Sequence, residues 1–226
     1  MVELGFDATD DFHEYAIDIA AACHELDIKS VAVTAGYVCP EPRAEFFRHM
    51  DAANVDLKGF TETFYNQVCA ADLAPVLDTL SYLKHETDVW FEITTLLIPG
   101  QNDSDKELDE MTTWVVENLG RDVPMHFTAF HPDYKMRDIP HTPPETLSRA
   151  RQIAITNGVR YAYVGNVHDK AGDSTYCHEC GICLIGRDWY VLSDWNLTDD
   201  GHCNGCGASC AGVFNGPPGK WGAKRQ

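Results

Sequence analysis

Apolar positions along the chain follow two alternating periods, one that suits strands and one that suits helices. From Val89 to Ile98 the run VWFEITTLLI is rich in β-branched and aromatic residues, as expected of a buried strand. Pro99 and Gly100 end it, because proline lacks the donor a sheet ladder needs and glycine permits a sharp turn. Asn102, Asp103 and Ser104 then offer side-chain acceptors to the free amides of a helix. That helix carries Leu108, Met111, Val115 and Leu119 on one face and is closed by Gly120. Strand, polar loop and helix make one βα unit. Ligands of parallel α/β folds gather at the carboxyl ends of the strands, so the loop Pro99–Asp103 is expected to face an active site.

The same alternation continues on both sides. Met1–Asp10 allows one short strand. Phe12, Tyr15, Ala16, Ile19, Ala20, Cys23 and Leu26 recur at helical spacing, with Cys23 read as a buried structural thiol. Ser30–Ala35 reads as a buried parallel strand ended by Gly36, and Pro42 opens a helix through Met50. Asn54–Leu57 is a short strand, and Leu73, Val76, Leu77, Leu80 and Leu83 stripe the next helix. Met125–Phe130 is a further strand. Thr142-Pro143-Pro144-Glu145 reads as a capping box that opens a helix running to Gly158, and Tyr161–Val164 is the last strand of the series. Repeated alternation without a Gly/Ser-rich linker means a parallel sheet with helices outside, either doubly wound or part of a (β/α) barrel. Periodicity does not choose between these. No glycine-rich phosphate loop follows any strand, which argues against nucleotide hydrolases and dehydrogenases.

Composition sharpens the picture at three points. The formal charge of −18 over 226 residues disfavours a nucleic-acid partner. No apolar run reaches the roughly 18 residues of a membrane span, and the amino end has no signal-peptide pattern, so a cytoplasmic location is expected. Six of the nine cysteines lie between Cys177 and Cys210, which points to a metal rather than disulfides. A boundary is placed near Ala171, giving a barrel domain over 1–170 and a metal-binding tail over 171–226.

In the tail, Cys177-x-x-Cys180-Gly181 and Cys203-x-x-Cys206-Gly207 are matching knuckles. Two residues between thiolates let a tight turn aim both sulfurs at one ion, and the glycine tolerates the backbone that ends the turn. Four sulfurs suit zinc or a single iron, with structural zinc expected. Cys183 and Cys210 leave an iron–sulfur alternative open. Leu184–Leu192 can supply a hairpin.

In the barrel, Asp56 and Lys58 stand near a strand exit, either as an ordinary ion pair or as polar groups that hold a cofactor at the mouth. His126 and His131 flank the Met125–Phe130 strand, as hydrogen-bonded structural residues or as site residues.

Several segments occur in a telling order: TAGY (Thr34–Tyr37), ANVDLKGF (Ala53–Phe60), ITTLLIPGQND (Ile93–Asp103), HFTAFHPDYKM (His126–Met136), HTPPETL (His141–Leu147), YVGNV (Tyr163–Val167), then TYCHECG and LIGRDWY. Together they resemble the radical SAM enzyme of the AmmeMemoRadiSam system, a relative of pyruvate formate-lyase activating enzymes, over about Phe12 to Trp221. The resemblance implies an incomplete (β/α) barrel with a 4Fe-4S cluster and S-adenosylmethionine at its open mouth. It implies that the reduced cluster cleaves the cofactor to a 5′-deoxyadenosyl radical, which takes hydrogen from a substrate. It further implies cofactor-binding roles for Asp56, Lys58 and His126, a cofactor-facing turn at Ile98–Asp103, and Memo-like and AMMECR-like partners. Ala35 stands where activating enzymes often have asparagine, so no ligand is carried over there.

Two features of that family are missing: the Cys-x-x-x-Cys-x-x-Cys cluster motif and the glycine-rich motif after the second strand. Cys23, Cys39 and Cys69 are too far apart to replace the former. The expectation is an N-terminally truncated barrel with a zinc-ribbon-like appendage, unable to perform radical chemistry alone. Two alternatives stand beside it: a non-catalytic metal-stapled domain that binds partners, and a barrel aldolase with Lys58 as Schiff-base amine.

Overall fold

The computed structural model describes residues 2–6, 10–214 and 216. The Phe12 side chain and the far end of the tail to Trp221, both included in the expectations above, lie outside what is described. Six parallel strands form one sheet: β1 (Val2–Phe6), β2 (Ser30–Thr34), β3 (Ala52–Asp56), β4 (Trp90–Leu97), β5 (Met125–Ala129) and β6 (Ala162–Gly165). Between them run α1 (Asp10–Glu25), α2 (Pro40–Arg48), the short α3 (Glu62–Phe64) with a π-helical turn Tyr65–Cys69, α4 (Leu73–Glu86), α5 (Asp105–Asn118) and α6 (Pro144–Asn157).

Strand order is the sequence order, β1 to β6, and every pairing is parallel. A doubly wound sheet must reverse its order at a switch point. Crossovers of one hand that always step the same way put every helix on one face instead. The architecture is therefore a partial (β/α) barrel.

Burial alternates along the strands accordingly. Ala53, Val55, Phe91, Ile93, Leu97, Met125, Phe127 and Val164 are buried against the helices, where they meet Val76, Leu80, Leu83, Leu108, Met111, Val115, Leu147 and Ala150. Each large side chain so buried contributes about 1.5–3 kcal/mol. The opposite face carries Asn54, Asp56, Glu92, Thr94, His126, Thr128 and Tyr163, all partly accessible. Parallel pairing aligns them in rows, one being Asp56, Thr94, His126 and Tyr163 across β3 to β6.

Three local expectations are corrected. The α1 stripe is narrower than its periodicity suggested, with Ala16 and Ala20 buried, Cys23 half-buried, and Tyr15 and Leu26 exposed. Helix α2 begins at Pro40, not Pro42; both prolines fall in the first turn, where no intrahelical donor is needed. Thr142 caps nothing: Pro143 holds the cap position without a side-chain bond, and Glu145 falls one place short of a box. The Thr142 hydroxyl instead accepts from the Phe130 N–H and donates to the Leu97 carbonyl, joining the ends of β4 and β5. Two successive prolines leave fewer helix amides to cap, which frees it for that task.

At the amino ends of the strands, Asp51 accepts from Lys29, the Ser30 N–H and His24, each at 2.8 Å. Burial pushes its carboxyl up, but these three donors outweigh that and bring it down to about 2. A depressed carboxylate stabilises the fold above its unfolded value, and the effect fades as pH falls through the folded one. Asp51→Asn is thus expected to cost about 1–2 kcal/mol at pH 7 and almost nothing near pH 2, read from denaturant midpoints. An equal cost at both pH values would refute this.

After β6 comes α7 (Lys170–Asp173) and then an antiparallel ribbon of β7 (Thr175–Tyr176), β8 (Cys183–Asp188) and β9 (Val191–Trp195). It has its own small core of Leu184, Ile185, Leu197, Cys177, Cys203 and Cys210 around Tyr161. Tyrosines beside and within β6 dock it: the Tyr161 hydroxyl accepts from the Ala211 N–H at 3.0 Å, and Tyr163 bonds the Thr175 hydroxyl at 2.9 Å.

Candidate functional site

The open face of the half barrel gathers the polar groups. At the carboxyl end of β3, Lys58 Nζ donates to Asp56 Oδ2 at 2.8 Å, both partly exposed. The loop that carries Lys58 is held from several sides. Tyr65 Oη accepts from the Lys58 N–H at 3.1 Å, Asn102 Nδ2 donates to the Lys58 carbonyl at 2.6 Å, and Glu107 Oε1 accepts from the Phe60 N–H at 2.7 Å. Thr95 Oγ1 donates to the Leu57 carbonyl at 2.9 Å. Gly59 permits close packing there, since a Cβ would lie 2.5 Å from the Phe64 ring. Burial is what pushes the Tyr65 phenol and the Glu107 carboxyl up.

Asn102 is the linchpin of this arrangement. It is wholly buried, and besides the Lys58 carbonyl it bonds the Ile98 N–H and the Leu96 carbonyl. Of the three residues expected to feed α5, only Ser104 caps it, accepting from the Glu107 N–H; Asp103 instead accepts from Gly100 within the turn. The loop Pro99–Asp103 is thereby bonded to the Lys58 loop. Asn102→Ala strands the buried Ile98 N–H and the part-buried Lys58 and Leu96 carbonyls and is expected to cost about 2–4 kcal/mol. A denaturation midpoint unchanged from the parent would contradict it.

His126 shares the row of Asp56, two strands away and so roughly 10 Å across the sheet. Its Nε2 stands 2.6 Å from Glu92 Oε2, and its ring stacks on Tyr163 with centroids 5.0 Å apart. Glu92 also accepts from Trp90 Nε1 at 3.2 Å. Burial would raise the Glu92 carboxyl, yet the bond and charge from His126 hold it below the ordinary carboxylate range. The pair fixes the imidazole on the open face. His131 is not brought there: it stands in the loop after β5, edge-on to His141 at 4.2 Å.

Glu92 and, in the ribbon, Arg187 escaped the reading of the sequence, which took Asn102 only for a helix cap. Glu92 did leave a signal, a lone carboxylate inside an otherwise apolar strand, which demands a partner.

In the ribbon, the sulfurs of Cys177, Cys180, Cys203 and Cys206 all lie within 4.8 Å of one another. Cys177 and Cys206 are 3.6 Å apart, and Cys180 and Cys203 3.7 Å. A tetrahedral ion with bonds of about 2.3 Å needs sulfurs about 3.8 Å apart, so these four could hold one metal. Gly181 and Gly207 close the knuckles at φ +75 and +78, donating to the Cys177 and Cys203 carbonyls. Burial resists ionisation of Cys177, but the Cys180 and Glu179 amides and the neighbouring thiols bring it down to about 7. The Ala208 N–H favours a Cys206 thiolate, yet Cys180 and Cys177 push that thiol up to about 12. A first thiolate forms readily and like charge resists the others, a conflict that a bound cation relieves. Cys183 and Cys210 stand outside the set.

Similar proteins bear on this geometry. An uncharacterized protein of Methanocaldococcus jannaschii is 40% identical over 197 residues, 87% of this chain and 58% of that protein. The 4-hydroxyphenylacetate decarboxylase activating enzyme of Clostridioides difficile is 23% identical over 167 residues, 69% of this chain and 52% of that enzyme. The chain thus spans a little over half the length of these curated relatives. Among solved structures, a domain of a pyruvate-formate lyase-activating enzyme from Bacteroides vulgatus matches at a TM-score of 0.62 and 20% identity, over 72% of this chain and 98% of that domain. A radical SAM methyltransferase from Sphaerobacter thermophilus matches at 0.57 and 16%, over 68% and 47%. The fold is that of radical SAM enzymes. No family model matches the sequence. Within the radical SAM fold, Asp56, Lys58 and His126 occupy the open, concave side of the sheet, while the four-cysteine ribbon follows its last strand. No helix of the described residues is long and apolar enough to cross a membrane.

Proposed function

We propose that the chain is a radical SAM protein of the activating-enzyme type whose concave face meets S-adenosylmethionine. The observation that carries this reading is the polar row on that face from Asp56 to Tyr163, in a chain that matches nearly all of an activating-enzyme domain. When bound beside a reduced 4Fe-4S cluster, that cofactor supplies a radical able to take hydrogen from a substrate. Asp56 and Lys58 suit it chemically, offering one charge of each sign to a ligand that carries both an ammonium and a carboxylate. Glu92 would keep His126 oriented toward it.

The described residues do not fit the cluster. Outside the knuckles no three potential ligands gather among them, and the knuckle sulfurs sit at single-ion spacing. A four-iron cluster places each thiolate on a different iron and needs them farther apart. Chemistry that runs through the cluster is accordingly not attributed to these residues. The ordered motifs support a finer assignment to the AmmeMemoRadiSam type, with Memo-like and AMMECR-like partners. The closed four-sulfur geometry supports structural zinc in the ribbon.

The aldolase alternative gains nothing from the geometry. A Schiff-base lysine works from a desolvated pocket, whereas Lys58 is ion-paired at a partly exposed mouth. Calorimetric titration with S-adenosylmethionine tests the proposal directly. Weak binding is expected, reduced about tenfold by Asp56→Asn or Lys58→Ala. Binding that neither substitution alters would defeat the placement of the cofactor.

A further inference from the structure

On its β6 side the concave face is walled by the ribbon instead of another barrel strand. A cavity of about 430 Å³ lies at this junction, lined among others by Glu92, His126, Tyr163, Asn166, Arg187 and Trp189. Asp56 and Lys58 are not among its walls, so the face divides into two halves.

Arg187 gives the second half its chemistry. One nitrogen, Nη1, donates to Thr175 Oγ1 at 2.7 Å and to the Asp173 carbonyl at 3.3 Å. The guanidinium carbon lies 5.8 Å from the centroid of the Tyr163 ring. Among the described residues, Nε and Nη2 have no hydrogen-bond partner, and Arg187 acts on the Glu92 carboxylate by charge alone, without bonding it. Lys58, by contrast, already has its carboxylate. A guanidinium anchored by one nitrogen keeps an unfilled planar fork, and that fork matches a carboxylate.

The hairpin tip adds an apolar wall. Trp189 and Tyr190 are 53% and 78% exposed, an unusual investment of aromatic surface in solvent. Trp189 adopts φ +53 because it opens the two-residue turn between β8 and β9, which fixes its ring at the hairpin tip. Glu92, which feels the Arg187 charge without bonding it, and Asp173 repel every anion on these walls and a dianion such as phosphate most, so a single carboxylate held by the fork is the better match.

We propose that this cavity binds a substrate carrying a carboxylate and an apolar body. The acid meets Nε and Nη2 of Arg187, and the apolar part covers Trp189 and Tyr190, beside His126. The word substrate rests on the concave face being the reaction site, but binding is measurable with neither cofactor nor cluster present. Failure of S-adenosylmethionine binding would therefore leave this proposal standing, and the reverse also holds.

The test is calorimetry on the full metal-containing chain with 3-phenylpropionate, its neutral amide and inorganic phosphate as probes. The acid should bind about tenfold more tightly than the amide, a comparison that needs no substitution. Arg187→Gln should erase that difference and Arg187→Lys should keep part of it, each with metal content unchanged. Trp189→Ala should weaken acid and amide by the same factor. Equal binding of acid and amide by the parent protein would overturn the proposal. So would phosphate competing as well as the acid, or loss of binding in Lys58→Gln with Arg187→Gln unaffected.

Discussion

Replacing Cys177 with serine is expected to empty the ribbon of metal and unfold it while leaving the half barrel standing. Anaerobically purified parent protein should carry about one zinc per chain, since four thiolates at single-ion spacing close a structural site. The ribbon core consists of only a few side chains, several of them cysteines, and contributes too little burial to hold the segment alone. Structural zinc contributes on the order of 10 kcal/mol in comparable small sites, so its loss should dominate every other change in the tail. Hydrogen exchange should show amides of β8 and β9 losing protection while those of β3 to β5 keep theirs. Cys183→Ser and Cys210→Ser should retain the metal, because their sulfurs lie outside the four-sulfur group. Iron accompanied by sulfide, or metal lost in those two variants and kept in Cys177→Ser, would reject the assignment. Acid should release the ion as well, because the thiolates must take up protons before they let go.

The second large effect is an absence of turnover. After anaerobic reconstitution with iron and sulfide, this chain with dithionite and S-adenosylmethionine should yield no 5′-deoxyadenosine above a cluster-free control. Among the described residues the group of three or more metal-ligating side chains is the knuckle set, whose sulfurs sit at single-ion spacing, and no route for electron transfer to the sulfonium is built on it. The polar row, the Asp56–Lys58 pair and the Glu92–His126 pair can contact a cofactor without reducing it. Product above the control would refute this and would direct attention to the ribbon cysteines. Their serine variants would then show which of them ligate iron.

Periodicity with proline and glycine stops identified the six strands and the longer helices of the barrel to within a few residues, because burial on two sheet faces and one helix face imposes local spacing, whereas the short α3 and its π-helical turn were missed. The paired Cys-x-x-Cys-Gly knuckles were equally legible, since a tight turn that aims two sulfurs at one ion is a local structure. Asp56, Lys58 and His126 stood out at strand ends and gained cofactor roles through ordered motifs, and the common row of Asp56 and His126 appeared only once strand register was known. A one-residue slip would have sent them to opposite faces. The choice of a half barrel over a doubly wound sheet depended on strand order, which no local pattern carries. Asn102 read as a helix cap and proved a buried bridge between two loops, because its partners at Lys58 and Leu96 are neighbours only in space. Thr142 changed roles for the same reason, its partners being the ends of β4 and β5. Glu92 and Arg187 meet the same cavity across 95 residues of chain, one from a barrel strand and one from the ribbon that covers its edge. Spacing along the chain determined what was local; chain crossing and packing decided which distant side chains share a site.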